Sequence, residues 1–280
     1  MKVKIITDSC CDLPESILAK YDIKKTRLQV RFGDVCYQAE DLTNAEFYRK
    51  MAESQVLPST SQPTIEEMTR VYEEALADGS NVLAIHMSSS LSGTFQGGIL
   101  TQKMINNDRL TVFDSRKASL GLGLMVIEAA RMAAGGKDIK DILERMERMQ
   151  KKMECIFAVG NLEYLIKGGR ISRTKGLVAE VLDIKPILHI NQEGKIEPYD
   201  KARGKKSCIR KLIGIMEQKA DNLEKQTIGI VHANCPEVAE YIRNEIQHRF
   251  TVEEIIIGEI GPIIGSHTGA GTFSIFFESK

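Results

Sequence analysis

Short runs rich in β-branched residues alternate along this chain with stretches of helical period, and that alternation limits the fold more than any other feature. Strand-like runs are "KVKIIT" (2–7), "RLQVRF" (27–32), "VCYQAE" (35–40), "NVLAIHM" (81–87) and "LTVFDS" (110–115). Helical periods cover 13–21, 44–54, 64–79, 91–105, 119–134 and 138–153. Gly33-Asp34, between two strand runs, reads as a hairpin turn. Elsewhere strand followed by helix predicts parallel strands with crossover helices. A second series starts at "CIFAVGNLEYL" (155–165). It continues with two strands in 183–202 joined around Gln192-Glu193-Gly194, a helix from 204 to about 221, a strand at 227–233, a helix at 236–250, and strands at 253–260 and 271–278. We therefore expect an α/β protein of two domains. Residues 1–155 form a Rossmann-like parallel sheet with helices, and residues 156–280 form an α/β domain with a mixed or antiparallel sheet. With no low-complexity linker between them, the two should pack closely around a cleft.

Composition removes several function classes. Thirty-eight basic residues balance 38 acidic ones, so the chain as a whole carries no electrostatic footprint for nucleic acid. With no Trp and 6% aromatic residues, stacking platforms for single strands are not expected. Six Cys occur without a C-x-x-C pair, and no His pair has metal-ligand spacing, so no metal site is expected. Free thiols in a chain of 280 residues point to the cytoplasm. "MKVKIITDSC" does not read as a secretory signal, and the most apolar stretch, 120–130, is too short to span a membrane.

The chemistry sits at strand ends, where open α/β sheets bind their ligands. "TDSCCD" (7–12), "STSQPT" (59–64), "SSSLSGT" (88–94) and "GSHTGAGT" (265–272) each supply hydroxyls and backbone N–H groups. Part of this is helix capping. Thr64 with Glu67 has capping-box spacing, and Asp12 stands where it could cap the first helix, ahead of Pro14. Thr60, Ser61 and Gln62 lie upstream of that cap, and one cap does not need Ser88, Ser89, Ser90, Ser92 and Thr94 together. Gly93 lets the backbone approach a partner. Neutral donors at a helix start suit a carboxylate; a polyphosphate would call for Lys or Arg, and the loop has none. G-x-S-x-G and the Walker motif are absent, and "GLG" (121–123) lacks the third glycine of a dinucleotide fingerprint. A hydrolase pairing Ser92 with His267, or a small-molecule kinase subunit, remains the competing enzymatic reading.

"ITDSCCDLP", "STSQPT", "SSSLSGTFQ", "FDSRKASLGLG", "YLIKGGRIS", "DIKPILHI" and "IGSHTGAGT" stand in the order found in DegV-family fatty-acid-binding proteins, and the resemblance spans residues 3 to 278. It implies a DegV-like fold whose second domain closes a tunnel around one long-chain fatty acid such as palmitate. It also implies a carrier without cofactor or catalytic residues, which presents the carboxylate to a separate fatty acid kinase that makes acyl phosphate for phospholipid synthesis. By position, Thr60 and Ser92 match the carboxylate-binding hydroxyls, with Ser61, Gly93 and Thr94 in the same loops. Arg170 and His267 match polar residues near the head group. Arg203 falls near the region linked to kinase docking. Cys10 and Cys11 stand where the family is richer in Thr and Ser, Gly97 and Gly98 replace slightly larger residues, and "TGAGT" replaces a Pro-containing loop.

Other residues follow from the same picture. The helix "SLGLGLMVIEAARMAAGG" (119–136) offers Leu120, Leu124 and Ile127 as tunnel lining, with an ordinary buried helix as the alternative. Arg203, Lys206 and Arg210 share one helix face by spacing and form a docking patch for an acidic partner, or a solvated face. His86, His189 and His232 read as core histidines and His248 as solvated. Asp8, Asp12, Asp114 and Asp183 read as caps and acceptors for backbone N–H groups. Lipid exchange would need transient membrane contact.

Overall fold

Backbone hydrogen bonds sort the strands into three sheets in the computed structural model, which describes residues 2–171 and 184–280. The first half contributes β1 (Val3–Asp8), β2 (Lys24–Thr26), β3 (Gln29–Phe32), β4 (Val35–Gln38), β5 (Ser59–Ser61), β6 (Asn81–His86) and β7 (Leu110–Asp114). The second half contributes β8 (Met153–Ala158), β9 (Ile184–Ile190), β10 (Ile196–Arg203), β11 (Thr227–His232), β12 (Glu254–Glu259) and β13 (Phe273–Glu278). One sheet has the order β2-β1-β6-β7 and is parallel throughout. The other large sheet has the order β10-β9-β8-β13-β11-β12; only β11 and β12 run parallel. A small antiparallel sheet, β4-β3-β5, stands beside them.

The central strands of the two large sheets, β1, β6, β8, β11 and β13, are buried on both faces because both faces are covered there. In β6, Val82 and Ala84 meet the helices Ile65–Leu76 and Thr94–Ile105 on one side, while Leu83 and Ile85 point into the layer between the two large sheets. In β8, Cys155 and Phe157 enter that shared layer, while Ile156 and Ala158 join the core beneath the helices Lys205–Lys219 and Pro236–Arg249. Side chains of period two thus build three cores stacked across two sheets.

The helix Leu120–Ala134 fills the shared layer. From Leu120 to Ile127 its Leu, Met, Val and Ile residues are buried on every side, so it packs against both sheets at once. The second sheet admits it closely through two glycines. A methyl at Gly229 would lie 3.3 Å from Leu120 and 3.3 Å from Leu124, and one at Gly258 would lie 3.4 Å from Leu120. A first-half helix therefore completes the core of the second sheet. The division expected between residues 155 and 156 falls inside β8.

The hairpin at Gly33-Asp34 forms with Phe32 opposite Val35 and Gly33 at φ 55°. Two strands and two helices went unread. β2 ("KKT") and β5 ("STS") have almost no apolar content and exist through pairing with β1 and β3. The helices Glu163–Lys167 and Pro262–Thr268 are too short to show a period. Thr64 accepts from Glu67 N–H at 3.1 Å, but the Glu67 carboxylate turns to Arg27 and Arg70, so only half of that capping box forms. Asp12 does not cap the first helix, where no side-chain cap exists; burial carries its carboxylate elsewhere, as described below. Among the described residues no helix is long and apolar enough to cross a membrane.

Gly258 also backs onto the Asp12 carbonyl oxygen, which an added methyl would strike. Gly258→Ala should destabilise the protein by about 1–3 kcal/mol, the usual cost of forcing volume into a packed core. Urea unfolding checks this, and an unchanged midpoint would mean that the first loop can retreat freely.

Candidate functional site

The shared layer is not completely filled. Beyond the start of the helix Leu120–Ala134 it holds a cavity of about 360 Å³, walled among the described residues by strands of the second large sheet, by β5, by the loops that follow β6 and β7, and by the helix Pro262–Thr268. Leu28, Phe157, Ile190, Val231, Ile263 and Phe276 give it an apolar body. Thr60, Ser61, Gln62, Ser92, Gly93, Arg170 and His267 supply its polar groups.

Four chain segments bring those groups together. Thr60 lies on β5, held opposite Val30 of β3. Its hydroxyl meets His267 Nε2 at 2.8 Å, across 207 residues of sequence. His267 rides on the short helix Pro262–Thr268, which the first half grips: Tyr48 donates to the Ile260 carbonyl at 2.8 Å, and Gly265 faces the Phe47 and Tyr48 rings. The other face of the imidazole lies against Gly168, where any side chain would overlap Nδ1. Arg170 follows directly, its Nε donating to the Leu91 carbonyl at 3.1 Å and its Nη1 to the Gly168 carbonyl. Burial, reinforced by the neighbouring Arg170 guanidinium, pushes the His267 imidazole down to about 4. The ring is therefore neutral at ordinary pH, and the guanidinium is the cation at this end of the cavity.

The hydroxyl-rich loop after β6 divides its labour. Ser88 donates to the Gly194 carbonyl at 2.8 Å and Ser90 to the Glu193 carbonyl at 2.7 Å, so these two clamp the β9–β10 turn. Ser92 Oγ stands 2.9 Å from Thr94 Oγ1 and accepts from Thr94 N–H at 3.3 Å, at the start of the helix Thr94–Ile105. Gly93 lets the Gln62 carboxamide lie against the loop; a methyl there would push that side chain aside.

Of the residues read from sequence, Thr60, Ser61, Ser92, Gly93, Arg170 and His267 line the one cavity. Thr94 is fully buried behind Ser92 and does not reach the wall. Leu120, Leu124 and Ile127 are buried but are not part of this wall; Leu120 and Leu124 pack on the glycines of the second sheet. Ser92 pairs with Thr94, and Thr60 takes the imidazole, so the Ser92–His267 pair of a hydrolase is not formed. Arg203 ends β10, so only Lys206 and Arg210 share a helix face; all three side chains are exposed. Asp8 accepts from Cys10 and Met87 N–H groups and His86 Nδ1, while Tyr72 meets His86 Nε2, which makes His86 a satisfied core histidine. Asp183 lies outside the described residues. Burial pushes the Cys11 thiol up to about 12 and the Cys10 thiol up as well, which leaves both unreactive. Sequence reasoning missed Ser119 and the Phe157/Ile190/Phe276 wall, because strand alternation marks both faces as core without saying which face borders a void. Among the described residues no group of His, Cys, Asp or Glu could hold a metal ion.

Fold and cavity define an α/β protein of two large sheets and one small one, with a mainly apolar cavity between them that carries a hydroxyl, imidazole and guanidinium rim. The chain belongs to the DegV family: residues 2–280 match the family described as "Uncharacterised protein, DegV family". A DegV domain-containing protein of Clostridium perfringens is 35% identical over 283 residues, covering 99% of this chain and 97% of the relative. A DegV family protein of Thermus thermophilus, described by its fatty acid binding, superposes with a TM-score of 0.93 at 31% identity over 100% of both chains. DegV of Bacillus subtilis, described as a fatty acid binding protein, does so with a TM-score of 0.89 at 31% identity, again over 100% of both.

With its folded value near 4 against an ordinary 6.5, His267 contributes stability that is present above about 6.5 and lost as pH falls through about 4. NMR titration of the ring should therefore show neutral imidazole down to about pH 5. A midpoint near 6.5 would mean that the ring is solvated in solution.

Proposed function

We propose that this protein is a non-enzymatic carrier that binds one long-chain fatty acid. The acyl tail occupies the apolar body of the cavity, and the carboxylate lies at the Thr60, Ser92, His267 and Arg170 end. The observation that carries this reading is the convergence of those four side chains, from four separate segments, on one mainly apolar cavity. The fatty acid binding ascribed to the family members of Thermus thermophilus and Bacillus subtilis supports it.

The physics agrees with the arrangement. About fourteen methylenes at ~0.8 kcal/mol each give a gross gain of about 11 kcal/mol. Association costs of order 4–15 kcal/mol remove most of it. The tail supplies affinity, and the rim fixes orientation. A neutral His267 with its proton on Nε2 donates to Thr60 Oγ1 and leaves the Thr60 hydroxyl free to donate to a carboxylate. Arg170 brings the compensating charge. Neutral hydroxyls hold the acid without neutralising its nucleophilic oxygen, which suits a carrier whose cargo is phosphorylated by a separate fatty acid kinase. Lys206 and Arg210 on one helix face, with the exposed Arg203 at the end of β10, offer basic side chains that would serve that kinase and not the lipid.

Native mass spectrometry, followed by lipid extraction, should find stoichiometric fatty acid in the purified protein. Protein free of fatty acid and unable to take up palmitate would sink the reading. Ser92→Ala and Thr60→Val should each weaken palmitate binding by about 0.5–1.5 kcal/mol, and by more if the acceptor is charged. Methyl palmitate should compete poorly, because an ester accepts those donors less well than a carboxylate does. Equal affinity for acid and ester would leave a greasy cavity without head-group recognition. Arg203→Glu with Lys206→Glu should keep the bound lipid and slow phosphorylation by the kinase; loss of lipid would place those residues at the cavity instead.

A further inference from the structure

Asp12 lies in the turn after β1 with left-handed backbone, φ 48°. Its side chain is almost fully buried, and its two carboxylate oxygens face in different directions. Oδ2 accepts from Ser119 Oγ at 2.5 Å, and Oδ1 accepts from Gly261 N–H at 2.9 Å. Ser119 is on the cavity wall. It opens the helix Leu120–Ala134 from the unusual backbone position φ 55°, ψ −145°, and its N–H donates to the Cys10 carbonyl at 2.8 Å. Gly261 stands at the root of the helix Pro262–Thr268, which carries His267. Glycines cradle the turn from both sides: methyls at Gly123 and Gly258 would meet the carbonyl oxygens of Cys11 and Asp12. One side chain thus ties the loop of the first sheet to the cavity wall and to the base of the head-group helix.

We propose that Asp12 is a positioning residue for this cavity and that its charge state is coupled to ligand binding, an ionised Asp12 and a bound carboxylate disfavouring each other. The ligand half of this proposal rests on the fatty-acid reading above. Asp12 is placed to act in this way because burial outweighs its two hydrogen bonds and the nearby Lys25, and Asp8 adds to the effect, so its carboxyl is pushed up to about 7. The groups packed around it are Asp8, Cys10, Cys11, Lys25, Tyr48 and Glu259, with Glu15 and Glu40 beside it and paired to Lys25. Burial pushes the thiols of Cys10 and Cys11 and the phenol of Tyr48 up, so these stay neutral near pH 7. Lys25, raised, stays charged. His267 is already neutral above about 4 and does not supply the proton.

The signs follow. Because the folded value is raised above 3.8, the Asp12 contribution to stability is largest at low pH and is lost as pH rises towards about 7. A bound carboxylate raises the Asp12 value further, and by reciprocity the protonated protein binds the ligand more tightly.

The test compares wild type with Asp12→Asn, which keeps the shape and an acceptor but cannot ionise. Palmitate affinity is measured by competition at about pH 6 and about pH 8. The Gly261 amide resonance of ligand-free wild type is followed over the same range. Wild-type affinity should fall about fivefold between the two values, at the lower end of ordinary coupling. The Asn variant should bind independently of pH. The Gly261 amide should titrate with a midpoint near 7 in wild type, where Asp12 ionises. A flat Gly261 resonance overturns the proposal whether or not lipid binds. Equal pH slopes in wild type and variant overturn the coupling while leaving the fatty-acid reading intact. Failure of wild type to take up palmitate at either pH overturns that reading and the coupling with it.

Discussion

From Leu120 to Ile127 the helix Leu120–Ala134 has no polar face to give to water, and the rest of the structure depends on where it can go. Leu120, Leu122, Met125 and Val126 point in different directions and are all fully buried. Such a helix is stable only between two apolar surfaces. One parallel sheet offers a single inner face to it, so a second sheet must cover the other side, and Gly229 and Gly258 flatten that sheet to let it approach. The spacing of the two large sheets is set by this one helix.

A layer held apart by a helix is empty where the helix stops. Ala118 and Ser119 mark that end, and both line the cavity. The void is the remainder of a layer whose thickness is fixed elsewhere. Its walls are apolar because they are the continuing inner faces of strands whose other faces are equally apolar. Its polar rim arises where strand ends and short helices meet: Ser92 accepts from the Thr94 N–H, Arg170 donates to two backbone carbonyls, and Thr60 and His267 bond each other.

Not every hydroxyl at that rim is available to a ligand. Ser88 and Ser90 are committed to the turn between β9 and β10, and Asp8 to two backbone N–H groups and His86. These bonds cross between distant parts of the chain and fix the positions of the groups left over. Thr60 and Ser92 remain at the cavity surface because neighbouring polar groups already meet the needs of the fold.

The alternation of β-rich runs with helical periods determined the layers, since an apolar period of two or of 3.6 residues is a local property that only one kind of element can bury. The parallel first sheet and the hairpin at Gly33 were legible for that reason; Thr60, Ser92, Arg170 and His267, singled out by the family resemblance and not by any period, line one cavity. What only the tertiary structure decided are contacts without a local period. β2 and β5 exist because a neighbouring strand pairs with them. Leu120 and Leu124 turn to sheet glycines and not to the cavity because those glycines, more than a hundred residues later, leave room for them. Asp12 bonds Ser119 and Gly261, separated from it by 107 and 249 residues, and not the helix that follows it. A cap and a cross-chain ligand are the same carboxylate chemistry, and only the packing that buries Asp12 selects between them.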